Sequence, residues 1–300
     1  KILLEQNYRS TQTVLDAARA VIDENQHRTP KRLFSDRGSG NKITLHEASD
    51  DYAEAAFVVD TIQSQIGGHT AQAGDFAVMY RTNAQSRLLE EAFLRAGLPY
   101  RLVGAQRFYG RREVKDIIAY LRLIHNPADE LSLARAINVP PRGIGDKTLL
   151  ALQMRARQSG QSAGEILLDL ARGLDSPHWQ VFSGRGAAVL ADFGSLLLAW
   201  RQVLPSLSLP DLFSRLLQDI GYREYIDDGS EEGAERWANV EELKRITYEY
   251  QDRGLTDFLE SLALISDQDT LPESNNIPTL LTLHAAKGLE FGQVFIVGLD

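Results

Sequence analysis

Three hundred residues with 43% hydrophobic content suffice for a large buried core and for one or two domains. Cysteine is absent, which excludes a disulfide framework and any cysteine-ligated metal site and suits a reducing compartment, the cytoplasm being the expectation. The net charge of −9, from 32 basic and 41 acidic residues, argues against a dedicated nucleic-acid-binding domain, although a segregated basic track on an acidic body can still bind phosphate.

No apolar run approaches the roughly 18 residues of a membrane span, and no signal-peptide pattern opens the chain. The sequence begins at Lys1 without an initiator Met and stops at Asp300 just beyond an apolar segment. A piece of a longer protein is therefore expected.

Taken in order, residues 1–103 alternate strand and helix. Strands are predicted at Lys1–Leu4, Ile43–His46, Phe76–Tyr80 and Tyr100–Val103. Helices are predicted from Thr11, a candidate cap ahead of Val14, Leu15, Ala18, Val21 and Ile22, over Tyr52–Ile66, and over Ser86–Ala96. Strands separated by helices of this length imply a parallel sheet covered on both faces, with ligands at the carboxyl ends of its strands.

Residues 104–277 read as all-helical, with helices over 114–124, 131–137, 149–157, 163–170, 187–204, 209–220, 239–250 and 255–265. A polar, proline-flanked linker from Ser266 to Pro278 closes this stretch. Strands then resume over 278–300, at Thr279–Leu283 and Val294–Val297, around a polar turn. The fold class expected is α/β, with an all-α domain inserted into a sheet lobe.

Two strings imitate nucleotide motifs. Val21-Ile-Asp-Glu24 resembles the end of a Walker B strand, but its helical spacing rejects that reading. Gly143-Ile-Gly-Asp-Lys-Thr148 resembles a P-loop, but Asp146 intrudes and no buried strand precedes it. The histidines lack metal spacing, so no metal site is expected.

Four strings carry the chemistry. In Gln6-Asn-Tyr-Arg-Ser10, an aromatic beside an arginine can stack on a base while the guanidinium meets phosphate; the alternative is a packed Tyr and a surface Arg. In Tyr80-Arg-Thr-Asn-Ala-Gln-Ser-Arg87, Arg81 and Asn83 fall at a strand end. Asn83 there can also cap a helix, with Arg87 at i+4 on a solvated face.

In Pro140-Pro-Arg-Gly-Ile-Gly-Asp-Lys-Thr148, Gly143 and Gly145 let backbone N–H groups approach a phosphate at a helix start, or simply form a helix–helix turn. In Thr282-Leu-His-Ala-Ala-Lys-Gly-Leu-Glu-Phe291, Lys287 and Glu290 offer a donor and an acceptor for a polyanion or sugar, or a solvated surface turn. Basic residues gather at Arg101, Arg107, Arg111, Arg112 and Lys115.

These strings, in this order, resemble the motifs of the UvrD/PcrA/Rep helicases, superfamily-one motors that move along single-stranded DNA. Phe108-Tyr-Gly-Arg-Arg-Glu-Val-Lys-Asp116 resembles that family's approach to its inserted domain and reads as mainly structural. The resemblance covers essentially the whole chain.

It implies a RecA-like second motor lobe at 1–103 and 278–300 interrupted by an inserted helical domain at 104–277. It assigns Tyr8 to adenine stacking, Arg9 to the γ-phosphate of ATP as an arginine finger, and Glu290 to the ribose. It assigns Arg81, Asn83 and His284 to single-stranded DNA, with Arg87 and Lys287 less clearly placed. Gly143, Gly145, Lys147 and Thr148 would touch duplex at a junction with single-stranded DNA.

The Walker A and B motifs belong to a first lobe that is missing here, so ATP with Mg²⁺ would be held only in part. The implied function is an ATP-dependent 3′-to-5′ DNA helicase of repair or replication, inactive in ATP hydrolysis as this piece alone. The alternatives are an ATP-independent DNA-binding or regulatory module, or the helicase part of a helicase–nuclease subunit.

Overall fold

The computed structural model describes residues 5–25, 31–182, 185–267 and 276–299. Its sheet contains β1 (Phe76–Tyr80), β2 (Arg101–Val103), β3 (Thr279–Thr282) and β4 (Gln293–Ile296) in the order β2-β3-β1-β4, all parallel. The strand predicted at Lys1–Leu4 lies outside the described residues.

Strand alternation sorts the side chains. Phe76, Val78, Tyr80, Leu280 and Val297 form one apolar cluster with Ala55, Val58, Val59 and Ile62 of α2 (Asp51–Gly67) and Leu88, Leu89 and Phe93 of α3 (Ser86–Arg95). Both helices therefore cover the same sheet face. The opposite face carries Ala77 and Leu281, both buried, but Val294 and Ile296 of edge strand β4 remain half exposed on it. The expectation of helices on both faces is met on one.

Two further local expectations change. Ile43–His46 forms no strand among the described residues; Ile43 and Leu45 face solvent while the His46 ring stacks on Phe57 at 3.6 Å. Side-chain alternation was present there, but the segment pairs with no neighbouring backbone among the described residues. Helix α1 (Gln12–Asp23) forms as expected after Thr11, yet Thr11 makes no side-chain cap, and of the apolar positions only Leu15 is buried.

Between β2 and β3 the described residues contain helices and no strand: α4 (Arg112–His125), α5 (Glu130–Ala136), α6 (Asp146–Ser159), α7 (Ala163–Leu170), α8 (Arg185–Val203), α9 (Leu209–Ile220), α10 (Tyr222–Ile226), α11 (Glu231–Thr247) and α12 (Gly254–Asp267). They enclose a second apolar cluster in which Tyr120, Phe193, Trp200, Phe213, Tyr222 and Phe258 are fully buried. The structure is thus a RecA-like parallel-sheet lobe interrupted by an all-helical insertion.

Helix α11 begins eight residues before the expected Asn239, at an N-cap where Ser230 accepts from Gly233. Its first two turns are too polar to show an apolar period, because their face meets polar groups of the sheet lobe.

Helices α7 and α8 touch backbone to backbone. A Cβ added at Gly194 would lie 1.9 Å from the Leu167 carbonyl oxygen. Gly194→Ala should therefore lower stability by about 1–3 kcal/mol through overpacking. Urea denaturation monitored by far-ultraviolet circular dichroism checks this; an unchanged midpoint would show that the helices can separate freely.

Candidate functional site

Parallel pairing sends all four strand ends to one edge of the sheet. Tyr80 pairs with Thr282, and Leu283 N–H donates to the Tyr80 carbonyl at 2.9 Å, so Arg81 and His284 leave the sheet on neighbouring strands. Val297 N–H donates to Met79 O at 3.0 Å, which brings Gly298 beside the same loop. Both Arg81 and His284 are exposed.

The loop after β1 is closed on itself. Gln85 Oε1 accepts from the N–H groups of Arg81 and Thr82, each at 2.9 Å. Thr82 and Gln85 make the reciprocal contacts of a capping box, a Thr-x-x-Gln pattern that was legible in the sequence. Asn83 is not the cap of α3, whose N-cap position is Gln85. Its side chain instead donates to Glu235 of α11 at 3.1 Å, while its Oδ1 is buried without a partner.

Arg87 overturns its expected place on a solvated face. It is 2% exposed, donating from Nε to Glu242 at 2.5 Å and from Nη1 to Glu91 at 3.0 Å. Burial opposes its charge, but the two carboxylates outweigh burial and raise its pKa. A guanidinium so engaged is not available to DNA.

Arg111 likewise leaves the basic group. It is buried, and its donors reach Gln106 O (3.1 Å), Asn83 O (3.0 Å), Asn239 Oδ1 (2.7 Å) and Ser86 Oγ (2.7 Å). Burial lowers its pKa, and Glu90 opposes that shift. Arg112 and Lys115 are exposed, Arg112 donating to Tyr225 Oη at 2.8 Å.

A second group of residues gathers around the segment before α1. Residues 5–7 run beside Phe34, with Asn7 N–H donating to Phe34 O (2.8 Å) and Phe34 N–H to Glu5 O (3.0 Å). Asn7 Oδ1 accepts from the N–H groups of Arg9 (2.9 Å) and Ser10 (2.8 Å), folding the chain so that Tyr8 and Arg9 project outward. Tyr8 is 78% exposed, and its hydroxyl donates to Gln6 Oε1 at 2.7 Å. Gln6 in turn donates to Asp36 Oδ2 at 2.6 Å.

Arg9 Nε donates to Glu290 Oε1 at 2.7 Å, both side chains being more than half exposed. Two motifs from opposite ends of the chain thus meet. Gly288, with φ of 91°, provides the left-handed turn that carries Glu290 to Arg9, while Lys287 stays exposed. An exposed ring, a guanidinium and a carboxylate suit the base, phosphate and sugar of one nucleotide face. Gln6 and Asp36, which orient Tyr8, carried no separate sequence signal.

The remaining predicted residues lie apart, between α5 and α6. Asn138 Oδ1 accepts from Ile144 N–H at 3.3 Å, and Arg142 Nη1 lies 3.1 Å from the carbonyls of Ala136 and Pro140. These bonds present Gly143 and Gly145 to solvent ahead of α6, with Lys147 exposed and Thr148 half-buried in its first turn. Only Gly143 needs glycine for its conformation, at φ of 72°; Gly145 has ordinary dihedrals, and a Cβ there would enter open space.

The sheet edge and the helical insertion place the chain in the class of parallel-sheet lobes interrupted by an all-helical domain. The family model of the UvrD-like helicase C-terminal domain matches residues 2–172 and 196–300, and the chain belongs to that family. It is 38% identical over 311 residues to the ATP-dependent DNA helicase PcrA of Leuconostoc citreum, covering 99% of this chain and 40% of that protein.

It is 39% identical over 319 residues to UvrD1 of Mycobacterium tuberculosis, covering 100% of the chain and 41% of the relative. PcrA of Bacillus subtilis is 38% identical over 310 residues, with the same coverage. The chain spans about 40% of the length of these curated relatives. No described helix is long and apolar enough to cross a membrane.

Arg87→Ala should cost up to about 3–5 kcal/mol, because it removes the buried partner of Glu91 and Glu242 and leaves them only the more exposed Arg95 and Arg245. Chemical denaturation measures this. A variant as stable as the parent but weakened in DNA binding would restore Arg87 to the DNA surface.

Proposed function

We propose that this chain is the second motor lobe, with its inserted helical domain, of an ATP-dependent 3′-to-5′ DNA helicase. The lobe comprises 1–103 and 278–300, and the insertion 104–277. The observation that carries the reading is the meeting of Arg9 and Glu290 beside the displayed Tyr8 ring. That set fits one side of a nucleotide.

When bound between this face and the missing first lobe, ATP with Mg²⁺ would supply phosphoryl transfer. Tyr8 stacks on the base, Glu290 accepts from the ribose, and Arg9 neutralises charge at the γ-phosphate. The Arg9–Glu290 pair is exposed, so its net worth is small and Arg9 can exchange Glu290 for phosphate at little cost.

Arg81 and His284 hold the tracking single strand at the sheet edge, while Asn83, expected beside them, has its side chain turned to Glu235 and supports the loop from behind. Gly143, Gly145, Lys147 and Thr148 meet duplex phosphate at the junction through open backbone and the start of α6. Relatives named as ATP-dependent DNA helicases support this reading.

In the full-length protein, Arg9→Ala should cut DNA-stimulated ATPase at least about a hundredfold with DNA affinity nearly unchanged. Steady-state hydrolysis and fluorescence anisotropy on a single strand measure the two. An unchanged rate would make Arg9 a surface residue and favour an ATP-independent DNA-binding module. The chain alone should hydrolyse no ATP; DNA-stimulated turnover from a clean preparation would overturn the division of the site between lobes.

A further inference from the structure

We propose that Asn239, acting through Arg111, is a positioning residue for the strand-contacting loop 81–86, which the helical insertion thereby sets in place. The inference rests on the reading of that loop as a single-strand contact, and it assigns a task to Asn239, which lies outside every motif used above.

Four side-chain pairs join α11 and the turn after it to the sheet lobe, and a fifth ties α11 to Arg111 at the entry of the insertion. Glu235 accepts from Asn83 (3.1 Å), Asn239 from Arg111 (2.7 Å) and Glu242 from Arg87 (2.5 Å), while Arg245 donates to Asp51 (2.6 Å) and Tyr52 donates to Glu249. The α11 positions 235, 239, 242 and 245 recur at helical spacing, so one polar stripe faces the lobe, and Glu249 extends it in the turn that follows.

All of these pairs are side chain to side chain, but Arg111 also grips backbone. From one guanidinium it bonds the Asn83 carbonyl oxygen (3.0 Å), Ser86 Oγ (2.7 Å) and Asn239 Oδ1 (2.7 Å). Asn239 is itself fixed, donating to Glu113 Oε1 at 2.6 Å. Arg111, Asn239, Glu113 and Ser86 are all buried.

The bonds to Gln85 then pass this placement to Arg81, since Gln85 Oε1 ties Arg81 and Thr82 into one closed turn. A planar donor fork that must satisfy three acceptors tolerates little displacement of any one of them. Removing the Asn239 amide frees Arg111 to reorient, and the Asn83 carbonyl loses its fixed partner. Arg81 then no longer meets a phosphate at the position the strand requires.

The test uses the full-length protein, a fluorescent oligothymidylate probe and salt titrations. Asn239→Ala should weaken binding severalfold and make the salt slope shallower by about 0.7, the loss of one phosphate contact on a single strand. Added to Arg81→Ala it should cause no further change, because both remove the same contact. Glu113→Gln, which keeps an acceptor for Asn239, should bind as the parent does.

A merely structural role would lower the active fraction and leave the slope unchanged. Asn239→Ser, which also removes the amide at smaller volume change, serves if the alanine variant does not fold. If Arg81→Ala flattens the slope and neither Asn239 variant does, the positioning inference fails and the DNA face stands. If Arg81→Ala itself matches the parent, the DNA face fails and the inference falls with it.

Discussion

The structure depends on the entry of β3 into the sheet between β1 and β2. Thr279 to Thr282 pair with Ala77 to Tyr80 on one side, and Thr279 to Leu281 with Arg101 to Val103 on the other. The chain thus leaves the sheet from β2 and returns on the adjacent strand, about 4.8 Å away. Arg101 N–H donates to Pro278 O at 2.9 Å where the two passes meet. A self-cored helical domain can occupy that interval because the closure cost of a long insertion grows only logarithmically. The same pairing sets His284 beside Arg81 and directs the Glu290 turn toward Arg9.

The junction between lobe and insertion is polar, unlike either core. Glu90 shows what this costs: burial raises its pKa, while Ser86, Arg111, the Phe108 N–H and Tyr100 hold the charged form. Buried ionic groups seldom add net stability over apolar ones of the same shape, but losing one partner is costly. Such a seam restricts geometry more than it adds adhesion. Tyr80 belongs to it as well, its hydroxyl buried without a partner and its pKa raised by burial.

The class of fold was legible because its evidence is local. Short continuous apolar runs marked Phe76–Tyr80 and Thr279–Thr282, and period-3.6 runs marked most of the insertion. Ile43–His46 marks the limit of such evidence: alternation reports facing, whereas a strand also needs a neighbour, and none is found among the described residues. Arg87 was misread as solvated, and Arg111 was counted with a basic group, because charge in a sequence carries no sign of burial. Their partners Glu242 and Asn239 are more than a hundred positions away, on the polar start and middle of α11. No spacing rule connects them.

The candidate site was legible as strings, but the relation between strings was not. Arg9 and Glu290 are separated by 281 positions and become neighbours only through the sheet edge and the turn at Gly288. Their pair sits in solvent, where opposite charges are worth about 0–1 kcal/mol. The buried Arg87 pairs lie in surroundings where the same charges interact several times more strongly. One arginine is therefore fixed by its carboxylates, and the other is merely kept near its own. That difference in dielectric surroundings, rather than in residue type, separates the guanidinium that builds the fold from the guanidinium left able to move.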